Sequence, residues 1–251
     1  MSGFAALSLS TQRAFIRDKT SLFFTFVFPL VFLVVFGLIF RGQSLPGGGH
    51  YIDSIAPGVM AWGVANGAVF GVAFTLMTWR KTEVLQLIRM TPVRTQTVLN
   101  SRFVVAVTIG LIQSVLFIGV ALLPAFGLHL SASWPLAVPV VVLGLAAFFT
   151  IGMVIGTFAS SPEAVAAVAN FVMLPMAFLS GSFFPMSASP GWLRVVSSFL
   201  PLRYMIQGIS HAVAGGTGTA STVAVSCAAL VGFTVLFAIV ASRTFSWGSP
   251  A

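Results

Sequence analysis

The placement of charge constrains this chain more than any other feature. Six runs, Leu22–Phe40, Ala56–Trp79, Phe103–Leu123, Leu136–Ala159, Ala164–Phe184 and Thr222–Ser242, contain no Asp, Glu, Lys or Arg. Each is close to the roughly 20 apolar residues a helix needs to cross the hydrocarbon core of a bilayer. The runs are continuous rather than alternating, which argues against a transmembrane barrel. Of the 251 residues, 58% are hydrophobic and 6% charged, against about a quarter charged in a soluble domain. The expected fold is all-α and integral to the membrane, a single domain over residues 1–251 with six transmembrane helices. The first run has no small-residue cleavage site before Arg41 and is predicted to be an uncleaved anchor rather than a signal peptide.

The net charge of +8, from 12 basic and 4 acidic residues, would suggest nucleic acid in a soluble chain. Here no nucleic-acid partner is expected, because the basic residues sort to one side of the spans. With the N-terminus inside, the cytoplasmic segments hold Arg13, Arg17, Lys19, Arg80, Lys81, Arg89, Arg94, Arg102 and Arg243, and the outer segments only Arg41, Arg194 and Arg203. The positive-inside bias puts both termini in the cytoplasm and the basic loops against anionic membrane lipids. Residues 1–19, with Phe4, Leu7, Thr11, Ala14 and Phe15 at helical spacing, read as an amphipathic helix on the inner membrane surface. Residues 185–221 are apolar yet outside, and are expected to dip back into the outer leaflet as short re-entrant helices.

What the spans lack narrows the function. None carries an ionisable side chain, and His50, His129 and His211 lie between spans, so ion-coupled transport is disfavoured. The only lysines, Lys19 after Asp18 and Lys81 after Arg80, do not fit a P-loop. Any energy from ATP must therefore come from another polypeptide, and this chain is expected not to be an enzyme. No catalytic residue, metal site or cofactor is assigned to it, and the single Cys227 reads as a small hydrophobe in an apolar run. Gly63, Gly67 and Gly71, and Gly152 and Gly156, have the spacing of close helix packing. Phe28, Phe32, Phe36 and Phe40 stripe one face of the first span. Pro29 and Pro175 interrupt the first and fifth spans. The fifth runs into Ser180, Gly181, Ser182, Phe183, Phe184 and Pro185, a loosened helix end that is the candidate outer gate. The same serines allow an alternative, an intramembrane hydrolase using Ser180 or Ser182 with His211. The Ser-Gly-Ser sequence is not the Gly-x-Ser-x-Gly of a nucleophile elbow. A passive channel is a further alternative.

Residues 80–102 form the one strongly charged loop. Thr82 is placed to cap a short helix in which Val84, Leu85, Leu87 and Ile88 are apolar and Glu83, Gln86 and Arg89 polar, stopped at Thr91-Pro92. Such a helix has the shape to enter a groove on a soluble partner. With three other stretches in the same order, this segment resembles the type-2 permease subunits of ATP-binding-cassette exporters. The other three are Tyr51 to Gly58 leading into the second span, Asn170 to Pro185 with its Leu-Ser-Gly-Ser-Phe-Phe-Pro turn, and Pro190 to Leu193 with Leu200 to Tyr204.

The resemblance implies a half-transporter in a bacterial cytoplasmic membrane. Two permease subunits, identical or not, would each dock a cytoplasmic ATPase, which supplies ATP and Mg chemistry. The docking residues would be Thr82, Glu83, Leu85, Leu87, Ile88 and Arg89. The cargo would be a small amphipathic molecule such as a drug, an antibiotic or a lipid; export of a lipid or polysaccharide precursor is the alternative within the family. Short outer loops look like the drug- and antibiotic-resistance branch. Phe28, Asn66 and Asn170 are the expected contributors to a substrate path between paired subunits.

Overall fold

In a computed structural model the chain is described over residues 3–40, 51–82, 95–186, 189–215 and 218–244, and among these all regular structure is helical. Helix α1 spans Gly3–Arg17. Asp18 then turns the chain: its carboxylate accepts the backbone N–H groups of Thr20 and Ser21, both at 3.1 Å, and the Ser21 hydroxyl at 2.5 Å. The Ser21 hydroxyl and these N–H groups hold the Asp18 carboxyl below its ordinary range, because they stabilise its charged form. Helix α2, Lys19–Ile39, is the first of six helices among the described residues that are long and apolar enough to cross a membrane. The others are α3 (Tyr51–Lys81), α4 (Thr95–Ala121), α5 (Ala137–Phe158), α6 (Pro162–Leu179) and α9 (Thr219–Thr244). Two shorter helices, α7 (Gly191–Ser197) and α8 (Pro201–Ala214), lie between α6 and α9.

Helices α3 and α5 form the centre, with 67% and 61% of their apolar windows buried, against 17–28% for the other four. Their backbones touch. A Cβ at Gly152 would stand 2.6 Å from the Val69 carbonyl oxygen, and one at Gly156 would stand 2.8 Å from that of Ala73. Small residues at this spacing let helices approach without a hydrophobic drive between them. The glycines of α3 serve differently: Gly63 faces Pro29 of α2 and Gln113 of α4, while Gly71 faces open space, so close packing does not explain it. Helix α1 packs on α4, and α9 packs on α5 and α8.

The helices do not end where the uncharged runs end. Helix α3 starts at Tyr51 rather than 56, because Ile52 and Ile55, on either side of Asp53, reach the core. Helix α4 starts at Thr95 rather than 103, with Val98 and Ser101 already buried. Helix α6 stops at Leu179, short of Phe184. There the Ser182 N–H bonds to the Ala177 carbonyl at 3.0 Å and the Gly181 N–H to that of Phe178 at 3.3 Å, with Gly181 at φ 79°. This is a Schellman stop, and a left-handed residue at that position favours glycine. Short helices occupy the 185–221 segment as expected. Helix α8 is built into the core: Leu202, Met205, Ile209 and Ala212 are fully buried against α3, α5 and α9. It lies beside the first turns of α5, where a Cβ on Gly144 would meet the Met205 sulfur at 2.5 Å.

Candidate functional site

At the end of the bundle where α3 finishes and α4 begins, the described residues include Arg80, Lys81 and Arg102. Here Arg80 is buried, 8% exposed, and aims its guanidinium at the last turn of α5. Its Nη1 donates to the carbonyls of Thr157 and of Gly156, the latter at 3.3 Å. The last carbonyls of a helix lack internal donors and carry the negative end of its dipole, so a cation there satisfies both needs and stabilises by up to about 2 kcal/mol when partly buried. The Arg80 Nε is also buried and has no hydrogen-bond partner. Across the same end, the Arg102 guanidinium of α4 lies 4.8 Å from the centre of the Trp79 ring of α3, a cation–π contact. The two helix ends that flank residues 83–94 are thus tied, one to α5 and both to each other.

By sequence Arg80 is one of five basic residues in the 80–102 segment. A signal was present: Val69, Ala73, Leu76 and Arg80 recur at steps of four, three and four, so Arg80 continues the buried stripe of α3. Of the expected docking residues, Thr82 is exposed, and its hydroxyl donates to the Thr78 carbonyl at 2.8 Å, finishing α3. Glu83, Leu85, Leu87, Ile88 and Arg89 lie outside the described residues.

At the opposite end the candidate gate is packed rather than loose. Ser180, Gly181, Ser182 and Phe183 are buried, and Phe184 and Pro185 are half-buried. The Phe183 ring sits among four others, 5.8 Å from Phe32, 5.7 Å from Phe36, 5.3 Å from Trp62 and 5.2 Å from Phe178 between centroids. Backbone meets backbone beside it: a Cβ at Gly58 would lie 2.5 Å from the Ser182 carbonyl oxygen. The Pro57-Gly58 lead-in to the second span and the Ser-Gly-Ser turn after the fifth, far apart in sequence, therefore touch. Trp62 Nε1, Ser180 Oγ and Ser182 Oγ are buried here without hydrogen-bond partners.

The phenylalanine stripe of α2 packs on this knot. Phe28 lies 6.4 Å from Trp62 and 5.2 Å from Phe32. Below it, Pro29 has no N–H to give the Thr25 carbonyl four residues earlier. Gln113 of α4, 1% exposed, supplies the missing donor with Nε2 at 2.8 Å. The π-helical turn Phe23–Val27 marks the same irregularity in α2. Asn66, one turn along α3 from Trp62, is half-buried, and Asn170 lies on the exposed face of α6. Phe28 thus lies beside Trp62, one helical turn from Asn66, while Asn170 belongs to a different helix.

The hydrolase alternative fails on geometry. Neither Ser180 Oγ nor Ser182 Oγ has a hydrogen-bond partner, and His211 Nδ1 faces the Gln207 carbonyl of its own helix at 3.0 Å. An apolar cleft of about 260 Å³ opens between α5, α6 and α9, lined among others by Ile151, Phe158, Val168, Met176 and Phe237.

A family model described as "ABC-2 type transporter" matches residues 3–214. Among similar proteins, the inner membrane transport permease YadH of Escherichia coli strain K12 is 25% identical over 197 residues, 76% of each chain. Nodulation protein J of Rhizobium leguminosarum bv. viciae is 34% identical over 79 residues, 32% of this chain and 30% of its own.

Proposed function

The chain belongs to the ABC-2 type transporter family, and from that premise we propose that it is the membrane-spanning half of an ATP-driven exporter moving a small amphipathic drug, antibiotic or lipid-like molecule out of the cytoplasm. It is a multi-pass membrane transport subunit, and the family implies a separate ATP-binding-cassette partner. In the proposed assembly two permeases pair in a bacterial cytoplasmic membrane with both termini inside. Two ATPase subunits, holding ATP and Mg, dock on Thr82, Glu83, Leu85, Leu87, Ile88 and Arg89. Glu83 and Arg89 orient the docking by ion pairs, and the three aliphatic side chains fill a groove.

The observation that carries this reading is how the two helices on either side of residues 83–94 are held. Arg80 and the Arg102–Trp79 pair brace the helices on either side, so a push on the segment moves α3 and α4 instead of being lost in a slack loop. Helix α3 has 31 residues, about 46 Å at 1.5 Å per residue. It carries displacement from Arg80 to Gly58 and Trp62, which touch the Ser180–Pro185 turn. That turn is the proposed outer gate, and Phe183 is its plug. The substrate path runs between paired subunits past Phe28, Asn66 and Asn170. An exposed amide midway along α6 supports this placement, because facing lipid would leave it without a hydrogen-bond partner.

The test is Leu87→Asp in the full chain co-expressed with the ATPase encoded beside it. Loss of ATPase co-purification with normal membrane insertion is expected. Co-purification at the parent level overturns the docking assignment.

A further inference from the structure

We propose that the outer turn is held shut at a polar cost: Ser180, Ser182 and Trp62 bury hydrogen-bonding groups that find partners when the turn opens to water, so that a small displacement releases it. The inference rests on the exporter reading for the role of the turn as a gate, but not for its energetics. Burial here is nearly complete, with Ser182 0%, Ser180 1% and Trp62 3% exposed. Among the described residues, neither hydroxyl and not the indole N–H has a hydrogen-bond partner. A serine in a helix can bond back to a carbonyl three or four residues earlier. Ser101, Ser114 and Ser197 do so, at 2.7, 2.8 and 2.9 Å. Ser180 and Ser182 do not, and Gly181 between them, at φ 79°, turns the chain out of the helix.

Around these groups stand rings and backbone. Phe183 packs on Phe32, Phe36, Trp62 and Phe178, and Gly58 brings the α3 backbone against the Ser182 carbonyl. Two opposed effects therefore meet at one turn. Ring packing and the Schellman bonds shut it. The unpaired groups favour the open form, because burial takes from them the hydrogen bonds that water gives. A Ser→Ala change removes such a hydroxyl and keeps the backbone, so the sign of its effect separates an unpaired group from a satisfied one. Trp62 is left in place in the test, since its ring also packs on Phe183.

The test is hydrogen exchange of the full permease in nanodiscs, read by mass spectrometry over residues 177–185. In the permease alone, Ser180→Ala and Ser182→Ala are each expected to slow exchange of this segment about tenfold, the scale of one unpaired buried group. Ser226→Ala, which removes a buried unpaired hydroxyl from α9, is expected to leave the segment as in the parent. Unchanged or faster exchange in both turn variants overturns the proposal, because loss of a hydroxyl satisfied by a carbonyl or an ordered water behaves that way. Equal slowing in Ser226→Ala also overturns it, since the gain is then global. Each turn variant carries the measurement if the other does not accumulate, and failure of both counts against the proposal, because removing an unpaired group does not unfold a protein. With the partner ATPase, the parent segment is expected to exchange faster in ATP than in ADP. Equal exchange in the two nucleotides takes the gate role from the turn, while the serine variants of the permease alone still decide the polar cost.

Discussion

Single residues in this protein are chosen by the group they must meet across a helix boundary. Gly58 is one. Its missing Cβ is what lets α3 approach the Ser182 carbonyl, and backbone has no flexible end that can give way. Gly58→Val is therefore expected to cost about 1–3 kcal/mol, the usual penalty of forcing atoms into a filled site. Thermal unfolding in detergent measures it, and a variant as stable as the parent means that the two backbones are not in contact. Arg80 is the converse, a long side chain kept because carbonyls at the end of α5 need donors. Its place on the buried stripe of α3 was legible from helical spacing. The carbonyls it serves were not, since they lie 76 and 77 residues away in the chain.

At the scale of the element, α2 is a helix that cannot satisfy itself. Pro29 strips the Thr25 carbonyl of its donor, and α4 repairs the gap through Gln113, across the notch left by Gly63. Pro29 and Gly63 each stand out in the sequence, as a break in the span and a packing glycine. That they form one device with Gln113 follows only from how α2, α3 and α4 assemble. Gln113→Leu is expected to destabilise by about 1–3 kcal/mol, the cost of an unpaired buried polar group. It is also expected to raise hydrogen exchange over residues 23–29 while the amides of α5 remain protected. Equal exchange in parent and variant would show that the π-turn does not depend on α4. Helix α6 shows the opposite economy: a proper Schellman stop rather than a frayed end, which is why its turn is packed where the glycine and serines read as loose.

At the scale of the whole molecule, the polar amide of Asn170 on an exposed face of α6 implies a neighbour other than lipid, which in the proposed assembly is the second permease. Asn170→Cys on a Cys227→Ser background is expected to give a cross-linked dimer in native membranes with a short bismaleimide, while Phe158→Cys, exposed beside the cleft, gives none. Monomer alone at position 170 would move the path elsewhere. The sequence by itself determined six runs long and apolar enough to cross a membrane, the segments that separate those runs, and which family the chain resembles. These depend on the length of uncharged runs and on short local motifs, and both are properties of neighbouring residues. The tertiary structure decided which groups satisfy which. Gln113 and Thr25 are 88 residues apart, Arg80 and Thr157 are 77 apart, and Phe183 packs on rings from two other helices. Most buried donors meet an acceptor, but composition and period do not say where along the chain it lies. Only the packing of helix on helix brings the two together.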